Sequence, residues 1–194
     1  MTAMSWSVPK VLCGNEVCLE PLEARHAAEF AVIADRETFR YMLKTPEPLD
    51  EAAFHDYIAE RIAPGSSGFA VRQVSTGKVV GHSSYLDMSE PHRHVEIGHT
   101  WYVEAARGTR INPECKLLLL ENAFEQLNCV RVQLKCDARN TRSRAAIAKL
   151  GALFEGIQRS NMVLPDGSLR DTAFYSIIRP EWPVVKAGLL ARLK

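Results

Sequence analysis

The chain has 194 residues, 46% of them hydrophobic and 24% charged, with a formal net charge of +1. That length fits one globular domain with a sizeable core, and the near-neutral charge removes any general electrostatic case for nucleic acid or an acidic partner. No apolar run approaches a membrane span, and the N-terminal MTAMSWSVPK lacks the apolar core of a signal peptide.

Residues 11–22 (VLCGNEVCLEPL) read as a hairpin-like strand pair, or as a strand after a Gly-Asn turn, ended by Pro21. Residues 24–34 follow as a short helix with Ala27, Phe30, Ala31 and Ala34 on one side, and 35–43 as a second helical piece. Pro46 and Pro48 break the chain before Asp50. That residue is the expected N-cap of a third helix, running to Ile62 with Phe54, Tyr57, Ile58 and Ile62 at helical spacing. A turn over 64–68 leads to a strand carrying Phe69 and Val71. A Ser75-Thr76-Gly77 turn, a strand over 78–88, the turn SEPHRH and a strand over 95–103 come next. Strands joined by such short turns predict an antiparallel meander.

Residues 95–125 organise the rest. Val95, Ile97, His99 and Trp101 alternate with Glu96, Gly98, Thr100 and Tyr102, the period of a strand. Gly98 inside that pattern predicts a bulge or a close backbone approach. Asn112 is the expected cap of the next helix, with Pro113 at its first position. Leu117, Leu120, Ala123, Phe124 and Leu127 form an apolar stripe, widened by Cys115, Leu118 and Leu119, so this helix should be covered on most sides. A helix start offers free N–H groups and the positive end of the dipole, and Arg107 and Arg110 stand just upstream. The result is an anion site suited to phosphate or pyrophosphate, or an ordinary strand–turn–helix connection with solvated arginines.

Residues 130–135 then read as a strand, and 140–150 as a helix capped by Asn140 and ended by Gly151. Two strands over 152–163 and 172–178 flank a Pro165-Asp166-Gly167 turn, and a closing helix spans 181–193. No repeat or linker marks a second domain. The five cysteines (Cys13, Cys18, Cys115, Cys129 and Cys136) are odd in number and lack C-x-x-C, which predicts reduced thiols in a cytosol. Cys13 and Cys18 give a weak metal spacing with no histidine pair to complete it. His92 and His94 read as a solvated hairpin ahead of a metal pair.

The segments VEIGHTWYV, INPECKLLLLENAFE, DARNTRSRAAIAKLGALFEG, LPDGSLRDTAFYSI and EWP, in this order and spacing, resemble the GNAT acetyltransferase superfamily. The resemblance is to its RimJ/RimL-like branch, which includes enzymes that acetylate ribosomal-protein N-termini, and it runs from about Val17 to the end. It implies an α+β fold: one domain over 1–194, with a core over 10–180 and a C-terminal helix over 181–194. The sheet would be mixed, mostly antiparallel and twisted, with about seven strands flanked by helices. Its middle strands would splay, with acetyl-CoA in the gap. Trp101, Tyr102 and Val103 would pair with the pantetheine arm, and Arg107, Gly108, Thr109, Arg110, Ile111 and Asn112 would cradle the pyrophosphate. Two positions of this turn that are small in the superfamily hold Arg110 and Asn112 here. Arg110 would narrow the cradle, Pro113 removes a donor, and Glu114 adds negative charge unless its side chain points away.

Asn140 and Ser143, three apart at a helix start, share a face. In RimL-like enzymes this Asn binds the cofactor or substrate amide and this Ser protonates the leaving thiolate; the plainer reading is an N-cap and a first-turn hydroxyl. The Tyr used elsewhere in the superfamily is Ile147 here. Glu96 would deprotonate the amine through water, or else face solvent. A carboxylate of RimL-like peptide acetylators is replaced by Met162. Asp87 and Asp171 are further candidate bases, and Arg170 and Asp171 are expected to form a structural ion pair. The expected activity is acetyl-CoA-dependent N-acetylation of a primary amine, a protein N-terminus or a small amine, by direct attack in the cytoplasm. The alternative class is a CoA-binding or partner-binding module without catalysis. Neither metal, nucleic acid nor membrane is expected, and a homodimer stays open.

Overall fold

The computed structural model describes Trp6 and residues 10–194. Most of the N-terminal segment MTAMSWSVPK therefore lies outside the described residues. Among the described residues eight strands form one sheet: β1 (Leu12–Cys13), β2 (Val17–Pro21), β3 (Ser67–Gln73), β4 (Val79–Ser89), β5 (His94–Tyr102), β6 (Arg131–Asp137), β7 (Leu153–Val163) and β8 (Leu169–Ile178). Their order is β1-β2-β3-β4-β5-β6-β8-β7, and every neighbouring pair is antiparallel except β5 with β6. The count exceeds the expected seven because the first segment is a true hairpin. Gly14 N–H donates to Val17 O at 2.8 Å, which leaves a two-residue strand ahead of the turn.

That hairpin overturns the expectation of five reduced thiols. Cys13 and Cys18 are directly opposed in register, 4.1 Å apart at Cα, and their sulfurs are bonded. Cross-strand neighbours on one face lie within side-chain reach, and the five-residue spacing that looked like a poor metal motif is what a tight hairpin needs. Cys115, Cys129 and Cys136 are free and buried.

Five α-helices of the described residues cover the sheet: α1 (His26–Ile33), α2 (Glu51–Arg61), α3 (Ile111–Glu121), α4 (Thr141–Lys149) and α5 (Trp182–Ala191). The second helical piece shortens to a 3-10 turn, Arg36–Phe39. Asp50 caps α2 as expected, accepting the Ala53 N–H at 2.9 Å. Helices α1 and α2 pack on one face through Phe30, Phe54, Tyr57 and Ile58, with Phe39, Ala70 and Trp101. This face is an aromatic cluster; Phe30 lies 5.2 Å from the Trp101 ring and 5.7 Å from Phe54. On the other face α3 and α5 bury aliphatic side chains, among them Leu119, Leu120 and Leu189, against Val17, Val71, Ile97 and Val132. No helix of the described residues is long and apolar enough to cross a membrane.

Three local details differ from the sequence reading. Trp101 does not share a face with Val95 and Ile97. His82 is opposite Trp101 and Ser84 is opposite Gly98, so His99 and Thr100 together oppose Ser83. This bulge, anticipated at Gly98, reverses the alternation beyond it. Helix α3 starts at Ile111, with Arg110 in the N-cap position and no side-chain cap. The Thr109 hydroxyl accepts the Ile111 N–H at 3.3 Å, so Asn112 and Pro113 fall inside the first turn. Proline is tolerated there because a first-turn N–H has no intrahelical partner. The helix also does not run evenly through Phe124: residues Asn122–Gln126 form a π turn. Tyr85 donates its hydroxyl to Leu119 O, and Asn122 Nδ2 donates back to the Tyr85 oxygen at 3.2 Å. A side chain bonded into the ladder in this way displaces the regular repeat.

Candidate active site

Strands β5 and β6 pair at only three positions: His94 with Arg131, Val95 with Val132 and Glu96 with Gln133. Beyond Glu96 they part, and a cleft of about 350 Å³ occupies the gap. Gly108, Asn112, Asn140, Ser143 and Ile147 line it from α3, α4 and the turn before α3. Tyr41, Met42, Leu86, Lys135, Asp137 and Arg170 line it from the side of α1 and α2. The cleft thus passes through the sheet.

At the α3–α4 mouth the site is mostly backbone and caps. Asn140 Oδ1 accepts the Ser143 N–H at 3.0 Å, so the capping role is real, and both residues also line the cleft. Ser143 sits beside Cys136; burial pushes that thiol up, and the serine hydroxyl pulls it back. Arg107 lines the cleft with its side chain fixed, Nε donating to Tyr102 O and Nη2 to Thr38 Oγ1, each at 3.0 Å. Trp101, Tyr102 and Gly108 also line it, whereas Val103, Thr109, Arg110 and Ile111 do not.

The two charges that threatened this mouth are turned away from it. Arg110 reaches outward to Lys194 O at 2.7 Å and toward Glu16 at 3.6 Å. Glu114, 5% exposed, points to the β1–β2 turn and accepts the N–H groups of Asn15, Glu16 and Val17 at 2.9, 2.6 and 2.8 Å. Three charge-assisted bonds from successive N–H groups satisfy the carboxylate fully. In the first turn of α3, Pro113 has no N–H and that of Ile111 goes to Thr109, which leaves Asn112 as the donor at the cleft.

The bulge residues His99 and Thr100 also line the cleft. His82 is completely buried, and burial holds its imidazole neutral, well below its usual range. Its Nδ1–H donates to His99 O at 2.9 Å while Nε2 accepts from Ser84 Oγ at 3.0 Å. Carbonyl and N–H of one trans peptide point in opposite directions, so the Thr100 N–H is turned away from His82. Behind Thr100, buried Lys116 donates to the Thr100 and Ser83 hydroxyls at 2.5 and 3.0 Å. Burial lowers this ammonium to about 8.

The opposite mouth is built from buried charge. Glu96, 2% exposed, does not face solvent: its Oε2 accepts from Lys135 Nζ at 2.8 Å and Gln133 Nε2 at 3.1 Å. Asp137, also 2% exposed, is clasped by Arg139 at 2.8 and 3.0 Å. Burial raises the Asp137 carboxyl, and the Arg139 contacts outweigh it, leaving a net lowering. Burial first, then Arg61 and Lys135, lowers His99 to about 4; its Nδ1 has no partner among the described residues.

The expected Arg170–Asp171 ion pair does not form. Adjacent residues on a strand point to opposite faces; Asp171 accepts the Ser160 N–H at 2.7 Å, while Arg170 enters the cleft. Among the described residues no His, Cys, Asp and Glu cluster is arranged for a metal. His99, Lys116, Lys135, Asp137 and Arg170 went unnoticed as site residues, since single charges at strand positions carry no motif. The available signal was polarity at inward positions of β5, β6 and β8 and, for Lys116, a charge on the otherwise apolar face of α3.

A family model described as an acetyltransferase (GNAT) domain matches residues 16–153. YdaF of Bacillus subtilis (strain 168), provisionally named a ribosomal N-acetyltransferase, is 25% identical over 167 residues, covering 84% of this chain and 90% of that one. A solved protein from T. thermophilus, provisionally described as an acetyltransferase, is 38% identical. The match covers 97% of this chain and 100% of that chain, with a TM-score of 0.90. Mycobacterium smegmatis RimJ, solved in complex with CoA-disulfide, is 21% identical, with 94% of each chain covered and a TM-score of 0.80, a likeness of fold.

Proposed function

The chain belongs to the GNAT acetyltransferase family and is an N-acetyltransferase; from that premise we propose that it transfers the acetyl group of acetyl-CoA to a primary amine by direct attack, across the cleft between β5 and β6. The observation that carries this reading is the passage through the sheet, with a helix start and a capped serine at one mouth and buried charges at the other. Acetyl-CoA supplies an activated acyl group on a thiol leaving group. Arg107, Gly108 and Asn112 hold its diphosphate at the start of α3, and the free edge of β5 at Trp101 and Tyr102 lies along its pantetheine arm.

The protein groups then divide the work. The Thr100 N–H, oriented by His82, stabilises negative charge on the acyl oxygen. Ser143 protonates the departing thiolate and Asn140 fixes the turn that presents it. Glu96 takes the amine proton through water, with Lys135 and Gln133 holding one oxygen and leaving Oε1 over Gly98. The acceptor, a peptide N-terminus or a small amine, enters from the side of Tyr41, Met42 and Leu86 in the cytoplasm. Binding is tested by thermal stabilisation with CoA, and turnover by thiol release with a panel of amines and peptides. Stabilisation together with amine-dependent thiol release is expected. Stabilisation without turnover would instead make the chain a binding module.

A further inference from the structure

Arg170 is 5% exposed, lines the cleft, and its Nε has no partner among the described residues. Apart from Arg142, which lines the cleft from α4 and is exposed to solvent, the other cations around it are engaged. Lys135 is held by Glu96 at 2.8 Å, Arg139 by Asp137 at 2.8 Å, Lys116 by two hydroxyls, and Arg107 by Tyr102 O and Thr38. Both buried carboxylates of this mouth therefore have their own cation, and no carboxylate among the described residues lies within ion-pairing distance of the Arg170 guanidinium. Asp137 and Glu96 act on it only from beyond ion-pair distance, and a buried charge without a partner of its own is costly unless something further compensates it.

Its position says which molecule does so. Leu134 and Cys136 of β6 belong to the core under α3 and α5, so Lys135 and Asp137 point to the other face. Thr172 is opposite Asp137, and Arg170, two residues earlier in β8, shares that face. Arg170 thus lies across the sheet from Ser143 and Asn140, at the mouth assigned above to the acceptor. The unpartnered Nδ1 of His99 lines the same cleft. A guanidinium offers a planar fork that fits a carboxylate through two parallel N–H···O bonds.

We propose that Arg170 is a specificity residue that receives a carboxylate on the acceptor, so that the preferred substrate is an amine carrying a carboxyl group. This rests on the acetyltransferase reading above. The carboxylate has two sources: a free amino acid, or an acidic side chain at the start of a peptide.

The test measures thiol release from acetyl-CoA with matched acceptors. Amino acids are set against their amides, and amidated peptides beginning with Glu or Asp against those beginning with Gln or Asn. Wild type should favour the carboxylate member of at least one set, which identifies the source. Arg170→Gln should lower kcat/KM for that acceptor by about 100-fold, mainly through KM, and level the pair. Arg170→Lys should recover part of the preference, keeping the charge and losing the fork. Stabilisation by CoA should be the same in all three proteins. Equal use of both members by wild type, or an intact preference in Arg170→Gln, overturns the proposal. Absence of CoA stabilisation in wild type overturns the acetyltransferase reading instead. If Arg170→Gln does not fold, inhibition of wild type by an N-acetylamino acid against its amide decides, equal inhibition being the adverse result. If no acceptor turns over, calorimetric binding of that same pair to the CoA-bound protein decides in the same way.

Discussion

The two mouths of the cleft are made by different means. At the α3–α4 mouth, the groups come from two short stretches, 107–112 and 140–143, and work through turns, caps and free N–H groups. At the opposite mouth, Glu96, Lys135, Asp137 and Arg170 come from β5, β6 and β8 and meet only after the sheet forms. Backbone sites tolerate side-chain change so long as the local geometry holds. Sites made of buried charge depend on each partner, because removing one strands another. In the proposed reaction, cofactor binding and thiolate protonation fall to the first kind of construction, and the amine base and choice of acceptor to the second.

The comparison is broken most severely by removing Glu114, which underlies the backbone-built mouth. Glu114→Ala leaves three N–H groups of the β1–β2 turn without their carboxylate and should cost about 3 kcal/mol, read from denaturant unfolding. A cost within a few tenths of a kcal/mol would mean that water replaces it freely. Ser143→Ala should lower kcat about 100-fold with little change in CoA affinity, measured by steady-state kinetics and calorimetry. An unchanged kcat would remove Ser143 from proton delivery. Arg107→Ala should weaken CoA binding about tenfold, and added salt should weaken wild-type binding in the same direction. Insensitivity to both would place the phosphates elsewhere.

The smallest effect concerns Lys116. Its folded value of about 8 lies below the ordinary 10.5, so between those pH values the unfolded chain holds a proton that the folded chain lacks. Stability should therefore rise with pH from about 8, and the penalty should be fully present below it. Cys115, Cys129 and Cys136, raised by burial above their ordinary 9.0, and Tyr57, Tyr85 and Tyr102, raised above their ordinary 10.0, act in the opposite sense, which confines the rise to the interval from about 8 to 9. Urea melts across that interval should show it, and Lys116→Met should flatten it; a Lys116→Met protein with the same slope would assign the rise to another group.

The sequence was legible where a residue acts on its own neighbours in the chain. Asp50 and Asn140 announce their helices, and Gly98 marks the bulge. It was illegible where a residue answers to something distant. Glu114 reads as a charge beside a phosphate site until the β1–β2 turn is seen wrapped around it, 97 to 99 residues away in the chain. Trp101 reads as continuing one face until the extra residue between it and Gly98 is counted against β4. Arg170 and Asp171 read as a pair because opposite charges are adjacent, although strand geometry sends them to opposite sides.

The brief contact between β5 and β6 divides the sheet into two panels joined by three residue pairings and the helical crossover. A molecule that threads the opening touches both panels and acts as a removable rivet between them. Its free energy of binding then becomes resistance to their separation. Amide exchange in β6 is the natural gauge of that coupling, slowing as the rivet is driven home and recovering as product leaves.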